Sequence, residues 1–446
     1  MFAFLRGRRR TDPPLRERQE AAPAFGRSAG DRVLSGRVAF RLDSFGPPVV
    51  DVVLPPPPRV VVASLNCGGA ALSAADVAAF LRRGAGTDGS PAAVVFVGVQ
   101  EASRKTWASL EALVGAHLVD HERVPLTYAF GDRSAPARRI GLGVLCYAAK
   151  GWRCAPCGPA VYANLGVEAA NARHAFKGAL CCRVALSSSL DGAPFEIAAA
   201  VAHLPAHEGR MVERVRALAT LGDALAASLG PADAAFFFGD LNFRLAPDDR
   251  GLDAAAALAS RGTEPRLSAG RRRETPAADA PKENADAPDD GNDTHRSAVL
   301  DAVAAGNYAS LLEKYDELAG LRRRLAASPE DRRVLLTWRD AAPTFAPTFK
   351  VARGVAGPVY SEKRIPAYTD RVLYAGRAAL LAFDAIPAVV ASDHKPTRAV
   401  FTLDAAPPER PRRRRGSIGA GKSKSTSPPR LSPGVPASRY EATSPA

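Results

Sequence analysis

Three short phrases in this chain mix acids, amides and histidines in a way that packing alone does not require. They are Gly-Asp-Leu-Asn-Phe-Arg at 239–244, Pro-Ala-Tyr-Thr-Asp-Arg-Val-Leu at 366–373 and Ser-Asp-His-Lys-Pro at 392–396. An aspartate can take a proton from water, an amide can orient water, and a histidine paired with a carboxylate can meet a phosphate oxygen as a cation. Hydrolysis of a phosphate ester needs these groups and neutralisation of the phosphoryl charge. The phrases therefore predict a metal-dependent phosphate-ester hydrolase.

Polar residues also follow other short apolar runs, at the point where each run ends. The runs at 59–65, 93–99, 195–202, 234–238 and 389–391 lead respectively into Asn66, Gln100 with Glu101, His203, Asp240 with Asn242, and Asp393 with His394. In α/β sheets, ligands gather beyond the carboxyl ends of strands, so we expect these side chains to converge. Carboxylate and amide oxygens suit a hard cation such as Mg²⁺, which is the predicted cofactor.

Taken one at a time, these residues also have purely structural explanations, and the sequence leaves them open. Asn66 could form a turn, and so could Asp393. Glu101 could cap the helix that follows it, because a helix N-terminus favours an acid. His203 could be a satisfied interior histidine. The combination at five strand ends is what favours a functional site over a set of turns.

The elements that must position these residues are predicted from the apolar pattern. Near-continuous apolarity in short runs indicates strands that are covered on both faces. The predicted strands are 59–65, 93–99, 140–147, 178–186, 195–202, 234–238, 371–374 and 398–403. Helices are predicted from a capping-box pattern at 73–76, an apolar stripe along 212–229, and one or two helices within 297–325.

Composition divides the chain into a folded body with polar extensions. Residues 1–30 read as a basic arm, 31–404 as one catalytic domain with its core at 59–403, and 405–446 as a Pro- and Ser-rich tail. Within the domain, residues 261–296 lack apolar periodicity and are predicted to be a low-complexity surface insertion. Much of the net charge of +14 lies in the tail, where nine basic residues from Arg410 onward face one acid. Such a tail is predicted to be disordered.

The bulk properties exclude several classes of protein. Apolar residues make up 46% of the chain and charged residues 24%, which is enough for a sizeable core. No apolar stretch approaches the roughly 18 residues that span a bilayer, and the first apolar residues precede their arginines, unlike a secretory signal. Six cysteines in a chain of this length do not indicate a disulfide scaffold. We therefore expect a soluble, cytoplasmic protein, and we default to a monomer.

These motifs resemble those of the inositol polyphosphate 5-phosphatases, which are members of the deoxyribonuclease-like Mg²⁺ phosphoesterase superfamily. The similarity covers roughly 59–403 and keeps the family's order. Besides the three phrases above, the matching segments are 66–69, 98–101, 177–178, 203–207 and 347–350. The resemblance implies an α/β fold of two packed mixed β-sheets flanked by helices, a four-layer sandwich.

The resemblance also implies a role for each matching residue. The implied catalytic residues are Asp240, which activates water, Asn242, which steadies it, His394 with its partner Asp370, and His203 on the other side of the phosphate. The implied metal residues are Glu101, with Asn66 and Asp393 close by. The implied substrate-binding residues are Lys177, Lys350, Lys363, Arg364 and Arg371, the last of which also braces the site.

Three positions depart from the family pattern, and all concern substrate recognition. Phe176 replaces an asparagine, Phe349 replaces a tyrosine, and Glu362 stands where a lysine is common. In the family, the segments that correspond to Phe349 and Glu362 bind the ring phosphate at the 4-position. Losing a hydroxyl donor and adding a carboxylate predicts a weaker hold on that phosphate.

The implied substrate is a phosphoinositide or a soluble inositol polyphosphate, and nucleic acid is not expected to bind. The basic tail at 408–430 predicts contact with an anionic membrane on the cytosolic face; a solvated tail or a nuclear-localisation patch are the open alternatives. Two other functions compete with the main prediction. One is a nuclease or other phosphodiesterase of the same superfamily, and the other is a catalytically silent lipid-binding scaffold.

Overall fold

Each of the eight predicted strands forms in the computed structural model. The run at 389–391, whose polar end was counted with the strand ends, lies instead in the loop between two strands. The model describes residues 57–81, 91–126, 140–165, 177–188, 194–248, 251–261, 290–326, 338–362 and 364–403. Apart from Pro57, these residues all belong to the second of two units in the chain, Pro58–Ala446. The predicted arm at 1–30, the tail at 405–446, most of the insertion and Lys363 lie outside the described residues.

The described residues contain thirteen strands and seven helices. The strands are β1 (Arg59–Asn66), β2 (Val94–Ser103), β3 (His121–Arg123), β4 (Ile140–Ala149), β5 (Trp152–Pro156), β6 (Val161–Asn164), β7 (Gly178–Ser188), β8 (Phe195–His203), β9 (Ala234–Asp240), β10 (Arg339–Asp340), β11 (Asp370–Gly376), β12 (Ala378–Ala385) and β13 (Thr397–Leu403). The helices are α1 (Ala74–Leu81), α2 (Arg104–His117), α3 (Met211–Leu229), α4 (Leu252–Arg261), α5 (Asp290–Ala304), α6 (Tyr308–Lys314) and α7 (Glu317–Ala326).

The strands form two mixed sheets with a parallel pair near the middle of each. One sheet has the order β12-β13-β1-β2-β4-β3, and the other has β10-β11-β9-β8-β7-β5, with β6 also paired to β7. The parallel pairs are β1 with β2 and β8 with β9. The carboxyl ends of a parallel pair meet at one sheet edge, so each sheet presents two adjacent strand ends there.

The main core lies between the two sheets, and helices cover their outer faces. Phe96 of one sheet and Phe236 and Phe238 of the other are fully buried in this core. A Cβ atom at Gly98 would lie 2.5 Å from the Phe238 ring, so the two sheets approach closely at this glycine. Helices α1 and α2 cover the first sheet and α3 covers the second. The predicted four-layer α/β sandwich is therefore confirmed.

The helices differ from the sequence prediction in number and extent. The capping box forms as predicted, since the Asp76 amide donates to Ser73 Oγ and the Ser73 amide to Asp76 Oδ2. The 297–325 segment, however, contains most of α5 and all of α6, and ends in α7, because Asn307 caps a new helix after the positive-φ Gly306. Residues 290–296, which were assigned to the insertion, form the start of α5. No helix within the described ranges is long and apolar enough to cross a membrane.

Two adjacent acids at the start of α7 hold buried arginines from two other elements. Asp316 accepts bonds of 3.0 and 2.9 Å from Arg371 Nη1 of β11. Glu317 accepts bonds of 2.9 and 2.7 Å from Arg214 Nη2 of α3, and a further bond from the Arg244 amide. Both arginines are completely buried. Each buried arginine therefore depends on its carboxylate partner, because it has no water as an alternative.

Replacing Asp316 by alanine should lower the free energy of unfolding by about 3–5 kcal/mol, because it leaves the buried Arg371 charge short of its bidentate partner. Urea denaturation followed by circular dichroism measures the change. The matched control is Glu111→Ala, which removes an ion pair with the half-exposed Arg123 and should cost at most about 1 kcal/mol. Equal losses in the two variants would contradict the structural role of the buried pair.

Candidate active site

The strand register of the second sheet aligns three of the predicted site residues. Asp240 at the end of β9 is paired with His203 at the end of β8, in parallel. On its other side, Asp240 is paired with Asp370 at the start of β11, in antiparallel register. Because β11 begins where β9 ends, Asp370 reaches the same sheet edge as the two carboxyl ends. The register thus brings together residues up to 167 positions apart.

The first sheet contributes an amide that bridges the two sheets. Asn66 ends β1, and its Nδ2 lies 2.9 Å from Asp240 Oδ2 and 3.2 Å from Glu101 Oε1. Its Oδ1 accepts a bond from the Gly68 amide, which is the turn contact that the structural explanation proposed. The turn and the site are therefore not alternatives, because the turn fixes the direction in which the Asn66 amide nitrogen points.

Glu101 and Asn242 both occupy the left-handed backbone region, with φ of 54° and 57°. A non-glycine residue in this region costs of order 1–3 kcal/mol, and such residues cluster at functional sites. Glu101 also lies in a break of register between β2 and β4, and such bulges re-aim a side chain. It is not the cap of α2, since Thr106 N donates to the side chain of Ser103, the N-cap residue.

His394 is held in one orientation by Asp370. Its Nδ1 lies 3.0 Å from Asp370 Oδ2, which also accepts bonds from the Thr348 and Thr369 hydroxyls. The other ring nitrogen, Nε2, lies 3.9 Å from Asp240 Oδ2. Burial opposes the charged ring, but Asp370 outweighs it and the pKa of His394 rises to about 9. His394 is therefore an imidazolium at neutral pH, facing Asp240.

His203 lies on the other side of Asp240 and, unlike His394, is neutral. Its Nε2 lies 3.3 Å from Asp240 Oδ2 and 3.7 Å from Glu101 Oε1, and Lys177 Nζ also contacts it. Burial, aided by Lys177, lowers the pKa of His203 below its usual range. Burial also lowers the pKa of Lys177, to about 8. Although burial alone would raise the pKa of Asp240, the hydrogen bond from His203 and the charges of His394 and Lys177 hold it well below the usual range, so this carboxylate is ionised.

Arg244 fixes the side chain of Asn242, a contact that the sequence analysis missed. Arg244 Nη2 donates to Asn242 Oδ1 at 2.5 Å, and Asn242 Nδ2 donates to Leu204 O at 3.1 Å. The guanidinium also lies over the Phe349 ring, at 4.8 Å, and that ring packs on His394 with centroids 4.6 Å apart. The second N–H of the Asn242 amide has no hydrogen-bond partner among the described residues and is the group that can orient water or phosphate.

The other basic residues predicted to bind substrate fall into different surroundings. Lys350 lies at the site with its Nζ 3.3 Å from Asp393 Oδ2, and its side chain is partly exposed. Arg364 lies 4.0 Å from Glu208 and is half exposed. Arg371 does not reach the site. It is fully buried against Asp316 and Asp340, so its predicted contact with substrate is corrected to a role inside the fold.

The donors around Glu101 fit a magnesium ion that keeps part of its water shell. No group of three or more His, Cys, Asp or Glu side chains arranged to hold a metal occurs in the described part of the chain. Magnesium is commonly bound through only one or two carboxylates and retains several waters. Glu101 offers a carboxylate that is 37% exposed. The Asn66 amide nitrogen donates a hydrogen bond to this carboxylate, and its oxygen accepts a bond from Gly68, so the predicted place of Asn66 at the metal is corrected to one of positioning Glu101. Asp393 is engaged elsewhere, because Arg353 and Lys350 each pair with one of its oxygens.

Comparison with known proteins agrees with this geometry. Residues 292–400 match the model of Endonuclease/Exonuclease/phosphatase family 2. A solved inositol polyphosphate 5-phosphatase domain of SPsynaptojanin, in complex with inositol (1,4)-bisphosphate and calcium ion, is similar at 18% identity and a TM-score of 0.51. It covers 77% of this chain and 84% of that one. The chain has the endonuclease/exonuclease/phosphatase fold.

Two further solved structures are also similar to this chain. The Cimex nitrophorin ferrous NO complex is 14% identical, with coverage of 78% and 99% and a TM-score of 0.49. The D. rerio TDP2 complex with a single strand DNA product is also 14% identical, with coverage of 77% and 99% and a TM-score of 0.38.

Replacing Asp370 by asparagine should lower the pKa of His394 from about 9 by at least one unit, because the ring loses the neighbouring negative charge that stabilises its protonated form. Histidine proton resonances followed against pH by NMR measure the shift. The matched control is Asp384→Asn, at an exposed carboxylate that pairs with the buried Arg398, which should leave the His394 titration unchanged. An unchanged titration in Asp370→Asn would show that the charge on His394 has another source.

Proposed function

We propose that this protein hydrolyses the 5-phosphate of phosphoinositides or soluble inositol polyphosphates in a reaction that depends on Mg²⁺ and uses water as the nucleophile. The observation that carries the proposal is the arrangement around Asp240. Its ionised carboxylate lies between a neutral His203 and a charged His394, and the Asn66 amide joins it to Glu101.

Each residue of this group has a chemical task in that reaction. Asp240 accepts the proton of the attacking water, and the second N–H of Asn242 orients that water or a phosphoryl oxygen. His394, kept protonated by Asp370, contacts the phosphate with its outward nitrogen and neutralises developing charge. The stack of Phe349 on His394 limits rotation of the ring.

Glu101 would hold the metal ion at the boundary between the sheets, and the Asn66 amide nitrogen would fix the position of that carboxylate. When bound there, Mg²⁺ supplies a Lewis acid that polarises a phosphoryl oxygen. The cations of Lys177, Lys350 and Arg364 supply the positive potential that draws a highly charged inositol phosphate to the site. Positive charge alone attracts both inositol phosphates and DNA. Lys350 and the motif at 366–373, which resemble those of the 5-phosphatases, favour an inositol phosphate as the substrate.

The proposal places the enzyme in the cytoplasm as a monomer. The tail at 408–430 would bring it to an anionic membrane surface through its basic residues, each worth about 1 kcal/mol near such a surface. This location rests on the sequence of the tail, which lies outside the described residues.

Purified protein should release phosphate from inositol 5-phosphates in the presence of Mg²⁺, and chelation with EDTA should abolish the release. Asp240→Asn and His394→Ala should each lower kcat by at least about a hundredfold, because each removes a group that acts on the reacting phosphate. Phosphate release is measured over a panel of soluble and lipid inositides and DNA, with circular dichroism to establish that the variants fold. Cleavage of DNA with no release from any inositide would favour the nuclease alternative, and near-normal rates in the variants would refute the site.

The Phe349 ring bears on which inositol phosphate is preferred. It is occupied by contacts with Arg244 and His394 and carries no hydroxyl. The wild-type protein should therefore discriminate weakly between substrates with and without a 4-phosphate. Phe349→Tyr adds a donor to a charged phosphate, a bond worth about 1.5–3 kcal/mol, so kcat/KM for the 4,5-bisphosphate should rise about tenfold or more relative to the 5-monophosphate.

The matched control for that comparison is Phe345→Tyr, at a phenylalanine that packs on Tyr368 and Phe383 rather than on His394. It should leave the substrate ratio unchanged. A strong preference for the 4,5-bisphosphate in the wild-type protein would show that the remaining cations suffice without the hydroxyl.

A further inference from the structure

Arg353 joins two segments of the site that are distant in sequence. Its Nη2 donates to Gly68 O at 3.0 Å and to Asp393 Oδ1 at 2.8 Å. Gly68 belongs to the turn after Asn66, and Asp393 directly precedes His394. One guanidinium nitrogen therefore ties the turn of the first sheet to the loop that carries the catalytic histidine.

The turn leaves no room for a side chain at the contact. Gly68 has a φ of +53°, and a Cβ atom there would overlap Arg353 Nη2 and lie 2.7 Å from Asp393 Oδ1. The Gly68 amide donates to Asn66 Oδ1 at 2.9 Å. Any shift of the Gly68 peptide would therefore rotate the Asn66 amide, whose nitrogen contacts both Glu101 and Asp240.

Other bonds hold the remaining sides of the same turn. The Cys67 amide donates to Gln100 O, and the Gly69 amide donates to Glu101 O. Ser392 Oγ donates to Asn66 O at 2.6 Å. Arg353 is the contact on the solvent side, with 47% of its side chain exposed.

Asp393 is the second element of this contact. Its two oxygens are paired with Arg353 and Lys350, and its backbone carbonyl accepts a bond from the Val351 amide. The Asp393 carboxylate therefore anchors the 350–353 segment through both of its oxygens.

We propose that Arg353 is a positioning residue that holds the Asn66 turn against Asp393 and thereby sets the geometry in which Glu101, bonded by the Asn66 amide, receives the metal ion. This inference takes the Mg²⁺ ion from the proposed function and rests on it to that extent. The contact itself is a property of the protein without metal. Because the ion pair is half exposed, it contributes little to global stability, so its effect is confined to the local geometry.

The test compares Arg353→Ala and Arg353→Lys with the wild-type protein in two measurements. Hydrogen–deuterium exchange on the metal-free protein should show faster exchange of the 67–69 amides in Arg353→Ala. Isothermal calorimetry with MgCl₂ should show a Kd raised at least fivefold, with a matching rise in the Mg²⁺ concentration that half-activates phosphate release and little change of kcat at saturating Mg²⁺. Arg353→Lys, which retains the charge and one donor, should recover part of both effects.

Two further variants distinguish a positioning role of Arg353 from a general loss of structure. Arg123→Ala removes a cation of similar exposure, 45%, that pairs with Glu111, and should change neither measurement. Gly68→Ala displaces the same guanidinium, so its effect on Mg²⁺ affinity should not add to that of Arg353→Ala.

Unchanged exchange of the 67–69 amides would overturn the inference, and so would Mg²⁺ binding that is equal or tighter in Arg353→Ala. A wild-type protein that binds Mg²⁺ but releases no phosphate would overturn the proposed function and leave the positioning role supported by the exchange result.

Discussion

The structure of the site depends on one buried charge, the carboxylate of Asp240, which is only 2% exposed. A buried carboxylate is stable only if donors and cations replace the water it has lost. Asn66 provides a donor from the other sheet, and the histidines at 203 and 394 lie on two further strands or loops. The same contacts that stabilise this charge therefore assemble the candidate site, and neither sheet could form it alone.

That arrangement requires β11 to stay in register with β9, and the buried arginine next to Asp370 helps to secure it. Side chains alternate between the two faces of a strand. Asp370 is directed to His394, and Arg371 is directed to the start of α7, where Asp316 receives it. The ion pair on one face of β11 thus holds the residue that orients the histidine on the other face. Arg244 makes a comparable link, because its amide bonds Glu317 and its side chain fixes Asn242.

Much of this could be predicted from the sequence, because the central strands are read directly from apolar runs and the polar residues follow them without a gap. The edge strand β12 was missed because its burial alternates and it carries exposed positions such as Leu381. The misplacement of Arg371 was avoidable, since the period of two along a strand already separates it from Asp370. Arg353 could not have been found, since it meets Gly68 across 285 positions and itself lies outside every matching segment.

The positions of the cations explain how the site can hold a polyanion while it keeps its own acids ionised. Lys177 lies inside, against His203 and near Asp240, and its charge makes the neutral state of that histidine more favourable. Lys350 and Arg353 lie farther out, and Asp393 neutralises part of their charge. Under the proposed function, an anionic substrate would meet the exposed and partly compensated cations first and the buried, protonated His394 last. Such an arrangement would attract the substrate without holding it at the entrance.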